Sequence, residues 1–139
     1  MTIKIAYNGD LRCTSTHLES GALLLTDAPT DNEGLGEAFS PTDLVATALA
    51  TCILTTMGIV ARRKEIDING ATAEVTKIMV SDPRRRIGEI VINIQMPDRP
   101  YTDVEQKMLE RAAQGCPVAA SLHPDVTKTL AINYHKIGD

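Results

Sequence analysis

The residues best suited to covalent chemistry in this chain are its three cysteines, Cys13, Cys52 and Cys116. Their odd number and wide spacing do not describe a disulfide framework of the secreted kind. Two of them lie in helix-forming sequence. Cys52 falls in the middle of an uncharged run, residues 44–61, while Cys116 follows Gly115 and precedes Pro117, which is set to open a short helical turn. A thiol at the start of a helix meets unpaired backbone N–H groups that stabilise its thiolate. A mid-helix thiol has no such help and needs a cation brought by the fold; Arg12 and Arg63 are the candidates. For either cysteine taken alone, a small buried hydrophobe is the commoner reading. The distance between them along the chain says nothing about contact, which for a disulfide needs Cα atoms within ~7 Å.

Other chemistries have weaker footing. His17, His123 and His135 form no C-x-x-C or H-x-x-x-H pair with each other or with the cysteines, so no metal site is expected. No nucleophile-elbow motif is present, and Gly34-Leu35-Gly36 is only a fragment of a phosphate-binding fingerprint. A net charge of -4, no Trp and one Phe leave neither a basic stripe nor a stacking surface, which argues against nucleic acid. The N-terminal MTIKIAYNGD lacks an apolar leader segment, so a cytoplasmic location is expected. The uncharged run, followed by Arg62-Arg63-Lys64, reaches the length of a membrane span. It is interrupted by Thr47, Thr51, Thr55 and Thr56 and is poor in large aliphatics. A helix apolar on all sides is better placed in the core of a domain or of a dimer, and no membrane partner is expected.

The elements that must position these residues follow from periodicity. At 139 residues, 43% hydrophobic and 23% charged, the chain is expected to form one domain, residues 1–139. Residues 3–9 alternate as a strand and end at Asn8-Gly9-Asp10, a hairpin signal. Residues 11–18 and 22–26 complete a small antiparallel meander, with Arg12, Thr14 and Thr16 on one side and Cys13, Ser15 and His17 on the other. Residues 27–39 read as a long loop, either a functional lid or a solvated crossover. Ser40 is placed as the N-cap, Pro41 at N1 and Asp43 at N3 of a helix running to Arg63. Such a helix is about 36 Å long at ~1.5 Å per residue, which leaves part of it to pack on another subunit. A second β region begins at residues 66–68, with strands at 73–80, 88–96 and 128–135. A shorter helix over residues 101–114, capped by Thr102, precedes the last strand. The order is α+β, because the strands come in hairpin groups.

Two strings then bring in a family. FSPTDLVATALATC, residues 39–52, and QGCPV, residues 114–118, resemble the OsmC/Ohr family of thiol-dependent hydroperoxide reductases. The order of elements is similar over nearly the whole chain. The resemblance implies an intertwined homodimer with the long helices at its centre and the second antiparallel sheet beside the shorter helix. It implies that Cys52 is the peroxidatic thiolate, that Cys116 resolves its sulfenic acid as a disulfide, and that Arg12 activates the thiolate and orients an organic hydroperoxide. No bound cofactor is implied; electrons return from an external dithiol, such as a lipoylated protein. The Ohr branch carries a glutamate directly after the helix-opening proline to hold the arginine, whereas Thr42 stands here. Asp43 or Glu37 can take its place. The chain looks closer to the OsmC-like branch, and Cys13 and His17 are read as structural. A rival reading keeps the fold and drops the catalysis, with a small apolar or acyl ligand in the interface pocket.

Overall fold

The computed structural model describes residues 2–135. Its contacts divide the chain into two compact units, Met1–Val45 and Ala46–Asp139. Together the elements form the α+β order expected from the sequence: three strands, a long helix, two strands, two shorter helices and a last strand.

In the first unit, strands β1 (Ile3–Gly9), β2 (Arg12–His17) and β3 (Leu23–Asp27) form an antiparallel sheet in chain order. The β1–β2 turn sits later than the Asn8-Gly9 signal suggests. Asp10 and Leu11 form its centre, with φ of 55° and 63°, and Gly9 pairs with Arg12. Two consecutive left-handed residues match the right-handed twist of a hairpin. The shift is absorbed by a bulge between Tyr7 and Gly9, and it makes Arg12 the first residue of β2. Residues 28–39 hold a single 3₁₀ turn, Thr30–Asn32. Helix α1 (Pro41–Arg63) then opens on a reciprocal cap. The Asp43 N–H donates to Ser40 Oγ at 3.0 Å, and the Ser40 N–H donates to Asp43 Oδ2 at 2.9 Å. Two orphan donors of the first turn are thereby satisfied.

The second unit carries the apolar core. Leu49, Ile53 and Met57 recur on one face of α1 and are at most 5% exposed, the spacing that a 3.6-residue period demands. Strands β4 (Thr72–Val80), β5 (Arg86–Gln95) and β6 (Thr127–Asn133) make the second sheet. Ile90, Ile92 and Ile94 alternate along β5 and are nearly inaccessible, each burial stabilising by roughly 1.5–3 kcal/mol. Helix α2 (Asp103–Gln114), with a Thr102–Glu105 capping box, adds Leu109, Ala112 and Ala113. A short helix α3 (Pro117–Ser121) follows. By length and composition α1 is apolar enough to cross a membrane; here its buried stripe belongs to this core.

Two details of the second unit depart from the sequence reading. The second sheet is mixed rather than antiparallel, because β6 pairs parallel with β5. The intervening α2 and α3 return the chain to the starting end of β5, and such a crossover reverses nothing. Residues 66–68 are not a strand. Glu65, at φ 56°, closes α1 with Ile66 N–H to Ala61 O at 2.8 Å and Glu65 N–H to Arg62 O at 3.3 Å. This is a Schellman stop with Ile66 folded back onto the core. Replacing Ser40 by Ala removes the α1 cap and is expected to cost about 1 kcal/mol, read as a lower urea midpoint at unchanged m-value.

Candidate active site

Within the second unit the fold brings Cys52 and Cys116 together. Cys52 lies mid-α1, half-buried, and Cys116 is 2% exposed. The corner that carries Cys116 is built from local rules. Gly115 ends α2 by donating to Ala112 O at 3.0 Å, Cys116 takes the extended N-cap conformation, and Pro117 starts α3 where no N–H is needed. Cys116 Sγ accepts the Ala119 N–H at 3.4 Å. The side chains of Cys52 and Cys116 come close enough to shift one another's ionisation, with the Val118 main chain and Thr56, one turn along α1, beside Cys52. Thr56 Oγ1 lies 2.8 Å from the Cys52 carbonyl as well.

The two thiols are therefore pushed in opposite directions. The Cys116 thiol, then the Val118 N–H, hold Cys52 below the ordinary thiol range, against the opposing effect of burial. Burial first, and the neighbouring Cys52 sulfur second, push Cys116 above it. The expectation that Cys116 meets the free amides of a helix start holds, though burial outweighs them; Cys52, expected to lack such help, receives it too. The corner packs against α1, so one of its free amides serves the thiol across the contact. An anionic sulfur beside a protonated one can attack an electrophile and then be captured as a disulfide.

Arg12 belongs to the first unit, where it meets two carboxylates. Its Nη2 lies 2.5 Å from Glu37 Oε2 and 3.6 Å from Asp27 Oδ2. Both hold the guanidinium more firmly protonated, Glu37 foremost. Of the candidates for this partnership, Glu37 is the one that contacts Arg12. Asp43 is engaged in the α1 cap, and Thr42 Oγ1 sits 3.2 Å from Ser40 Oγ. Asp27, placed by the sequence reading in the loop, instead ends β3 directly opposite Arg12. It is 1% exposed and accepts the Glu37 N–H at 3.1 Å, while its Oδ1 is buried without a hydrogen-bond partner among the described residues. The loop that delivers Glu37 needs a glycine at 34, where a Cβ would lie 1.7 Å from Ala28 O. Cys13 adjoins Arg12 on β2, and His17 Nδ1 contacts Ser20 Oγ at 2.7 Å within the β2–β3 turn. Asp27, Thr56 and the Val118 amide were missed. Only Thr56 left a trace in the sequence, four residues after Cys52 on the same helix face.

An α+β chain with a paired-thiol site defines the class. The match is then specific: a family model for OsmC-like protein covers residues 34–131, and the chain belongs to the OsmC family. A crystal structure from Psychrobacter arcticus, of a protein assigned to osmotic stress induction and detoxification response, is 52% identical over 96% of both chains, with a TM-score of 0.90. The fold is shared with an organic hydroperoxide resistance protein OsmC from Legionella pneumophila, 15% identical over 96% of this chain and 97% of that one, TM-score 0.74. It is shared too with the organic hydroperoxide resistance protein OhrB of Bacillus subtilis, 19% identical over 96% and 98%, TM-score 0.69. No curated protein matches the sequence.

The Cys116 side chain is the largest influence favouring the Cys52 thiolate, so its removal has a defined sign. Cys116→Ala is expected to move the Cys52 titration to higher pH, Cys116→Ser to move it less, and Thr56→Val to move it upward by the smallest step. Iodoacetamide alkylation rates across pH, followed by peptide mass spectrometry of Cys52, give these midpoints directly.

Proposed function

We propose that this chain is a thiol-dependent hydroperoxide reductase in which Cys52 is the nucleophile and Cys116 the resolving thiol. The observation that carries this reading is the meeting of Cys52, whose thiolate is favoured, with a buried Cys116 whose thiol is pushed up. The fold relatives from Legionella pneumophila and Bacillus subtilis, both described as organic hydroperoxide resistance proteins, point the same way.

The Cys52 thiolate attacks the terminal oxygen of R–O–OH. The O–O bond breaks, Cys52 becomes S–OH, and the alkoxide takes a proton to leave as R–OH. Cys116 then displaces hydroxide from the sulfenic acid, its own proton completing a water, and the Cys52–Cys116 disulfide forms. An external dithiol, for which a lipoyl group is the candidate class, reduces that disulfide through a mixed disulfide and is itself oxidised to a cyclic disulfide. Arg12 is assigned the electrostatic role of favouring the anionic sulfur and the departing alkoxide, with Glu37 and Asp27 holding the guanidinium. A homodimer is part of this proposal. The first unit leaves Ile3, Ile5, Tyr7, Leu23 and Leu25 each more than half exposed, an apolar surface that a second copy would cover.

Stopped-flow mixing with stoichiometric cumene hydroperoxide should consume one equivalent and yield the Cys52–Cys116 disulfide by mass spectrometry. Cys52→Ser should abolish the reaction, and Arg12→Ala should slow it by roughly 10²–10³-fold. Oxidation of Cys52→Ser at the wild-type rate would sink the assignment. Light scattering should give twice the mass of the chain; a monomer would remove the dimer from the proposal.

A further inference from the structure

The disulfide proposed above presents two unequal sulfurs to a reductant. Cys116 is 2% exposed, set in the corner where Gly115 ends α2 and Pro117 opens α3, and its Sγ accepts the Ala119 N–H at 3.4 Å. Ala112 and Ala113, just before the corner, are buried as well. Cys52 is half-buried. Of its neighbours one turn away on α1, Leu49 turns into the core, whereas Ala48, Thr55 and Thr56 remain partly or wholly accessible. None of those three is larger than threonine, so the way to the Cys52 sulfur along α1 lies over small side chains.

Thiol–disulfide exchange depends on which sulfur is reached and on which thiol leaves. Here the two disagree. Cys52, whose thiolate is favoured, is the better leaving group, so leaving-group chemistry directs attack to Cys116. Taking the slope of about 0.4–0.5 that governs the attacking thiol, such a preference is worth roughly threefold for each tenfold difference in acidity. Access outweighs it. The attacking sulfur must approach in line with the S–S bond, from the side away from the departing sulfur. For attack on Cys52 that side faces away from the buried Cys116, whereas a line onto Cys116 exists only after the corner has opened. The Ala119 N–H, already bonded to Cys116 Sγ, receives the negative charge that collects there as the S–S bond breaks, which offsets part of the handicap.

We propose that the external dithiol enters at Cys52, so that the mixed disulfide stands on α1 and Cys116 is the first thiol set free. The step rests on the Cys52–Cys116 disulfide of the reading above. One thiolate of the reductant attacks the Cys52 sulfur, the S–S bond breaks, and Cys116 leaves as a thiolate that takes up a proton. The second thiolate of the reductant then attacks its own sulfur in the mixed disulfide. The reductant closes to a cyclic disulfide, oxidised by two electrons, and Cys52 leaves as a thiolate. The poorer leaving group therefore departs where the backbone amide supports it, and the better one departs last, ready to react again.

The test uses the wild-type chain with its disulfide made by diamide, which requires no hydroperoxide. The oxidised protein is mixed with excess 2-mercaptoethanol, a monothiol that cannot close a ring, and quenched with acid at a series of early times. Free thiols are capped with N-ethylmaleimide, and peptide mass spectrometry locates adduct and cap. Extrapolated to zero time, the mercaptoethanol adduct is expected on Cys52 in roughly tenfold or greater excess over Cys116, with the maleimide on Cys116. Equal labelling, or an adduct mainly on Cys116, overturns the inference. If cumene hydroperoxide leaves the wild type reduced while the diamide-made disulfide opens at Cys52, the reductase reading fails and the entry point stands. If diamide forms no Cys52–Cys116 bond, both fail.

Discussion

The meeting of Cys116 with Cys52 is the contact to which the second unit is subordinate. Two thiols side by side in an apolar core cannot both ionise cheaply, so the surroundings have to choose between them. They choose through burial: Cys116 sits deeper and desolvation pushes its thiol up, while the Val118 N–H favours either thiolate and so leaves the charge to Cys52. The preference for charge on Cys52 and for the proton on Cys116 is the division of labour that a nucleophile and a resolver require.

Holding that contact takes three elements at once. The stripe of Leu49, Ile53 and Met57 anchors α1 to the core and so fixes the azimuth at which Cys52 emerges. The alternating isoleucines of β5 form the floor. The Gly115-Cys116-Pro117 corner breaks α2 where its amides turn toward α1. Dense packing leaves little room for independent adjustment, and Cys52 and Thr56 ride at the edge of the buried stripe, half-buried rather than sealed.

The Arg12 cluster uses a different principle, one stiff and one exposed carboxylate on a single guanidinium. Asp27 is buried at the end of a strand, in register with Arg12, and a buried carboxylate without a charge partner would be costly. Glu37 is on the surface, at the end of a loop shaped by Gly34 and Gly36, and its main-chain N–H is tied to Asp27. The glutamate that the family resemblance places after the proline is replaced by Thr42, and the carboxylates that meet Arg12 come from strand and loop instead.

What the sequence determined by itself was the local grammar. Ser40-Pro41 and Asp43 marked the start of α1, Thr102 that of α2, and Cys116-Pro117 that of α3, because caps are read from neighbouring residues. The hairpin groups, the α+β order and the cysteine motifs were legible for the same reason. The parallel direction of β6 was not, since alternation is identical in either sense. Nor was the place of the β1–β2 turn, where a bulge overrode the Asn-Gly signal and set Arg12 opposite Gly9. The tertiary structure alone decided that Cys52 and Cys116 meet and in which direction each thiol is pushed. Those outcomes depend on contacts between elements distant in sequence, which no local pattern encodes.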